Sequence, residues 1–189
     1  MPHYFELTDR IGIRVAGVWG MWEAKPPYTP SAPAFEEVKR LGLTMLTRTP
    51  IIQIEHHRQG YKAYTDEALR NGVAPFFDKF GRDGEIIITL GNEPQPSGPT
   101  VARNVALYKL MYEQIKKVSP KTFVVGTSVG PAEEYFKLGF HKYSDAVDFH
   151  TYEDSKGMQE TFEKYKELFA KYGGEQPIWA TELGLNAQG

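Results

Sequence analysis

The sequence predicts an α/β fold, an incomplete (β/α) barrel of the TIM type, on three observations. Short apolar runs alternate with segments whose apolar residues recur at helical spacing, which implies a parallel sheet covered by helices. Two glutamates, Glu93 and Glu182, each end an apolar run, at 86–90 and 178–181. A barrel gathers its chemistry at the carboxyl ends of several strands, whereas a dinucleotide-binding sheet would carry a GxGxxG turn, which is missing here.

Six strands are expected. Residues 11–19 read as the first, followed by a connection whose Pro26, Pro27, Pro30 and Pro33 exclude helix interior. Phe35, Val38 and Leu41 then fall at helical spacing, with Gly42 where a helix C-terminal glycine belongs. The second strand, 43–48, is closed by Thr49-Pro50, and 51–65 reads as a long loop. A helix is expected over 66–80, although Gly72 and Pro75 weaken its interior. The third strand is 85–90. Val101, Val105, Tyr108, Met111, Ile115 and Val118 share the next helical face, which Ser119-Pro120 ends. A strand at 122–126, a short helix at 132–138 and a strand at 146–150 follow. Met158, Phe162, Tyr165, Phe169 and Tyr172 form the last helical face, stopped by Gly173-Gly174 ahead of a strand at 177–181.

The 189 residues suffice for one domain with a real core, and 1–189 is read as a single partial-barrel catalytic domain. With 22 basic and 24 acidic side chains the net charge is -2, so there is no cationic excess to hold nucleic acid. No cysteine is present, which excludes disulfides and thiolate metal sites without assigning a compartment. The first ten residues contain Glu6, Asp9 and Arg10 and no apolar core, so no signal peptide is read there, and no membrane span is expected.

Two carboxyls at strand ends point to a paired acid and nucleophile, the chemistry of glycoside hydrolysis. Trp19, Trp22 and Trp179 are candidate sugar platforms, Trp19 foremost, although tryptophan more often packs in a core. Asp148, His150 and Tyr152 fall on one face of an extended strand. Glu55-His56-His57 lacks the HExxH spacing of a zinc site and reads as a polar loop. A metal-dependent hydrolase using His56, His57, Asp148 and His150 is a third reading.

Asn92-Glu93-Pro94 resembles the mark of the clan-A glycoside hydrolases, which are built on an eightfold β/α barrel, and Thr181-Glu182-Leu183-Gly184 is similar to their second motif. Two predicted strands lie between the glutamates, as the fourth and seventh strands of that clan require. Val18-Trp19-Gly20-Met21-Trp22-Glu23 looks like a segment of the β-xylosidase and α-iduronidase group, and Phe149-His150-Thr151-Tyr152 resembles the sixth-strand segment of the clan. The resemblance implies a retaining O-glycoside hydrolase working by double displacement, with Glu93 as acid/base, Glu182 as nucleophile and no cofactor. By the same analogy His150 or Tyr152 orients Glu182 or touches substrate. Asn92 hydrogen-bonds the sugar 2-hydroxyl or, equally well, holds an Asx-turn; a core role for His150 stays open. In this register the first and eighth strands are missing, since a full barrel takes about 250 residues. The open edges would then favour self-association. The alternative is a carbohydrate-binding or interaction protein that has lost turnover on a truncated glycosidase scaffold.

Overall fold

The computed structural model describes residues 2–18, 33–49, 66–82, 84–94 and 100–184. One sheet contains β1 (Val15–Gly17), β2 (Thr44–Arg48), β3 (Ile86–Thr89), β4 (Phe123–Ser128), β5 (Ala146–Thr151) and β6 (Ile178–Leu183), in that spatial order. All neighbours pair in parallel. Helix α1 (Pro2–Arg10) precedes the sheet, and α2 (Pro33–Arg40), α3 (Asp66–Phe80), α4 (Val101–Val118), α5 (Glu133–Lys137) and α6 (Ser155–Tyr172) each join two successive strands.

Spatial order that follows chain order means the winding never reverses. Right-handed crossovers then put the connecting helices on one face and leave the other as a barrel interior. A doubly wound sheet would reverse its order midway. Among the described residues β1 pairs only with β2 and β6 only with β5, so the structure is a half-barrel of six strands.

The core lies between sheet and helices. Met45, Ile86, Ile88, Val124, Val147 and Phe149 point outward from alternate strand positions. They meet Val38 of α2, Phe76 and Phe80 of α3, Leu107 and Met111 of α4, Phe136 of α5 and Tyr165 of α6. This packing explains why α3 persists through Pro75. Leu69, Val73, Phe76, Phe77 and Phe80 are all buried, and tertiary burial of an apolar stripe outweighs local propensity.

Two expected boundaries are corrected. Among the described residues the first strand is Val15–Gly17 and does not begin at Ile11, and it is preceded by a helix the apolar pattern did not reveal. Ile11 and Gly12 instead close α1, donating to Leu7 O at 3.1 Å and Asp9 O at 3.0 Å, with Gly12 at φ 82°. The last strand runs Ile178–Leu183, so Glu182 lies within it rather than beyond it. Trp19, Trp22 and the Glu55-His56-His57 segment fall outside the described residues.

Candidate active site

Glu93 follows β3 by a short turn and takes φ 45°, the one non-glycine residue with positive φ among those described. That left-handed conformation costs about 1–3 kcal/mol and persists where the surroundings impose it. Glu182 is aimed by a different device. Phe149 pairs with Ala180, but the next pair is His150 with Glu182, so Thr181 is an extra residue on β6. Without this bulge the strict alternation of β6 would turn Glu182 away from the face that carries Asp148 and His150.

The buried carboxylate of Asp148 closes the bulge. It accepts the Thr181 backbone N–H at 3.0 Å and the Thr181 hydroxyl at 2.7 Å. His150 sits above it, with Nε2 3.4 Å from Asp148 Oδ2 and 3.3 Å from Thr181 Oγ1. On the other side of the ring, Nδ1 lies 2.7 Å from Glu93 Oε1 and 3.7 Å from Glu182 Oε2. One oxygen of Glu93 and one of Glu182 come within 4.8 Å of each other. Arg48, at the end of β2, donates to Glu182 Oε2 at 3.1 Å, and the Tyr152 hydroxyl donates to Glu182 Oε1.

These contacts polarise the site. The Tyr152 hydroxyl, then Arg48 and the His150 charge, hold the Glu182 carboxyl below the usual carboxylate range despite some burial. Burial alone would lower His150, but hydrogen bonds to Asp148 and Glu93 and the charges of Asp148 and Glu182 outweigh it, and the imidazole ends above its ordinary value. The arrangement therefore keeps one carboxylate ionised and sets the other against an imidazole that can hold a proton. Glu93, His150 and Glu182 also form the one donor group among the described residues close enough to hold a metal ion. The Arg48 guanidinium already neutralises Glu182, and His150 Nδ1 already engages Glu93, so the group is satisfied without an ion.

The structure brings together Glu93, Glu182, His150 and Tyr152. Asn92 is adjacent to Glu93 and half-buried. Trp179 stacks on Phe123 at 4.9 Å between ring centroids and so packs on the inner face of the sheet. Arg48 escaped the sequence reading, as did the anchoring roles of Asp148 and Thr181. Arg48 had one signal, a guanidinium at the carboxyl end of an otherwise alternating strand.

No protein-family model and no curated protein matches the sequence. Solved structures do match in shape. Bacteroides uniformis β-glucuronidase 2 covalently bound to cyclophellitol-6-carboxylate aziridine superposes with a TM-score of 0.64 at 16% identity, over 93% of this chain and 21% of that one. A family 39 glycoside hydrolase from the gut symbiont Bacteroides cellulosilyticus WH2 gives 0.66 at 16% identity, over 98% of this chain and 46% of that one. Thermotoga maritima Cel5A in complex with mannotriose gives 0.66 at 15%, over 98% and 72%. The chain thus spans from about a fifth to under three quarters of the structures it resembles. Its fold is that of the β/α-barrel glycoside hydrolases.

Proposed function

We propose that the chain carries the two-carboxylate site of a retaining O-glycoside hydrolase, with Glu182 as nucleophile and Glu93 as acid/base. The observation that carries this is the separation of the two carboxylates, whose oxygens approach within 4.8 Å. Retention needs carboxyls roughly 5–5.5 Å apart, whereas inversion leaves about 6.5–9.5 Å for a water between them. In the first step Glu182 bonds to the anomeric carbon while Glu93 gives its proton to the departing glycosidic oxygen. In the second, Glu93 takes a proton from water, whose oxygen replaces Glu182 at that carbon. The pairing of Glu182 with Arg48 and Tyr152 suits an ionised nucleophile. Asn92 is assigned to substrate binding, together with Tyr152, whose ring is half exposed, while the nearly buried His150 takes the orienting role that the resemblance also offers. Carbohydrate as the partner class agrees with the mannotriose held by Thermotoga maritima Cel5A. Self-association through the β1 and β6 edges belongs to the same proposal and is read by light scattering.

The test uses phenyl and 2,4-dinitrophenyl glycosides of common hexoses and pentoses in both anomeric forms. Glu93→Gln should lower kcat/KM on the phenyl substrates by roughly 10²–10⁴-fold and on the dinitrophenyl ones far less, because only the former need an acid in the first step. Glu182→Ala should abolish turnover, and a glycosyl aziridine should label Glu182 covalently. Full activity in Glu182→Ala would sink the assignment. Turnover lost on chelation would favour a metal-dependent reading instead.

One observation favours sugar binding without turnover. Glu93 and Glu182 are 48% and 40% exposed, more open to water than a closed reaction site. Saturable sugar binding by calorimetry with no hydrolysis of any glycoside would select that reading.

A further inference from the structure

His150 is an imidazole with acceptors at both nitrogens. Facing Nε2 are Asp148 Oδ2 at 3.4 Å and Thr181 Oγ1 at 3.3 Å. The Thr181 hydroxyl spends its proton on Asp148, so what it turns toward His150 is a lone pair. Two acceptors at one ring nitrogen require that Nε2 carry a hydrogen. At the other nitrogen, Glu93 Oε1 lies 2.7 Å from Nδ1. That short line holds one mobile proton, either on Nδ1 beside an ionised Glu93 or on Glu93 beside a neutral ring.

We propose that Asp148 is a positioning residue which locks the Nε2–H form of His150, so that the Nδ1–Glu93 line becomes the store of the acid proton. The proposal rests on the two-glutamate reading above.

The burial pattern supports it. Asp148 and His150 side chains are only 2% and 4% exposed, so water cannot supply the missing partners. A buried carboxylate is retained only when hydrogen-bonded or paired, and among the described residues the cationic group within salt-bridge reach of Asp148 is His150. The remaining Asp148 oxygen is taken by the Thr181 backbone, which ties the same carboxylate to the bulge that aims Glu182. One side chain therefore orients the base of both catalytic arms. The groups facing His150 are Asp148 from its own strand, Glu93 after β3, and Thr181 and Glu182 on β6. Tyr152, just after β5, and Arg48 of β2 reach Glu182 from further out.

The proton count closes through the cycle. Transfer from Nδ1 to Glu93 Oε1 leaves a neutral ring with its hydrogen on Nε2. Glu93 passes that proton to the leaving oxygen as the Glu182 ester forms. When water attacks and the ester breaks, the proton water releases returns to Glu93 and is again shared with Nδ1.

The experiment is ¹⁵N NMR of histidine-labelled protein, with His150 assigned by its loss in His150→Gln. In the wild type Nε2 should stay protonated throughout while Nδ1 titrates. In Asp148→Asn the midpoint should fall by about 1 pH unit or more, since an adjacent opposite charge typically shifts a group that far. The alkaline limb of kcat/KM on an aryl glycoside should move down with it. Thr181→Val should shift the midpoint less, because Asp148 remains. An unmoved midpoint in Asp148→Asn overturns the proposal. If that variant shows no cooperative melt, the wild-type spectrum decides, since a neutral Nδ1–H tautomer there is equally fatal. A shifted midpoint in a protein that hydrolyses no glycoside would leave Asp148 as the lock on His150 and discard the glycosidase reading.

Discussion

Arg48 Nη2 donates to Glu182 Oε2 at 3.1 Å, joining residues 134 positions apart in sequence. The contact links the second strand to the sixth across the open face of the half-barrel. It sets a fixed positive charge against the carboxylate proposed as the nucleophile, whose attack requires the ionised form. Removing it should raise the pH at which Glu182 takes up a proton. Arg48→Ala is therefore expected to move the acid limb of kcat/KM to higher pH. A charge-assisted hydrogen bond is worth roughly 1.5–3 kcal/mol, or about 10–100-fold in rate, and the partial exposure of Glu182 favours the lower end. An acid limb that stays in place would show that Tyr152 and His150 suffice.

Gly184 shields the Tyr152–Glu182 contact. A Cβ at this position would lie 2.7 Å from Tyr152 Cδ1 and 3.0 Å from Cε1, too close for either atom to stay. Because the ring is half exposed, it can swing aside, but its hydroxyl then leaves Glu182. Gly184→Ala should lower turnover by about the same factor as Tyr152→Phe, roughly tenfold for one charge-assisted hydrogen bond. Its melting temperature should barely change. The two variants are compared on one substrate, with calorimetry alongside; wild-type turnover in Gly184→Ala would mean the ring keeps its hydroxyl in place another way.

His141 makes acid stability a separate measurement from acid activity. It is fully buried beside Phe136, with ring centroids 5.3 Å apart, and burial, aided by the Lys142 charge, lowers it from its ordinary value. A base depressed by folding takes its proton first in the unfolded chain. Unfolding free energy should therefore fall as pH drops below about 6.5, until the folded protein also protonates. His150 has the opposite sign: it is raised, so its contribution is present below about 6.5 and lost as pH climbs through its folded value. Urea titrations across pH should show a flatter acid slope in His141→Leu than in the wild type. An unchanged slope would assign the acid sensitivity to other groups.

Asp145, just ahead of β5, is predicted to be a stability residue with no part in turnover. Its carboxylate accepts from Lys116 Nζ at 2.6 Å, the Val124 backbone N–H at 2.8 Å and the Tyr112 hydroxyl at 3.2 Å. These bonds tie α4 to β4 and β5 at the amino ends of the strands, away from the glutamates. Asp145→Ala should cost roughly 1.5–3 kcal/mol in urea unfolding while kcat at saturating substrate stays near wild type. A large loss of kcat in a fully folded variant would contradict this separation.

Much of this was legible in the residues alone. Short apolar runs set between segments of helical spacing located six strands, because a strand buried on both faces needs apolar residues throughout, and the helical faces of α4 and α6 were readable from an equally local period. Glu93 and Glu182 stood out because a carboxyl at the end of an apolar strand has no use in a core. The limits were also physical. Residues 11–14 have the alternation of a strand, but Ile11 and Gly12 close a helix instead, since Gly12 can adopt the positive φ that ends α1. Arg48 and Glu182 meet only because successive parallel crossovers curl the sheet, and no local pattern records a contact between strands so far apart in sequence. The bulge at Thr181 lies beyond periodicity altogether. It depends on Asp148 of the neighbouring strand being placed to take both the Thr181 amide and its hydroxyl. The sequence by itself determined which side chains could do chemistry and the order of the strands that carry them. Tertiary structure decided which of them face one another, because orientation is set by bulges, φ values and partners that only the assembled sheet supplies.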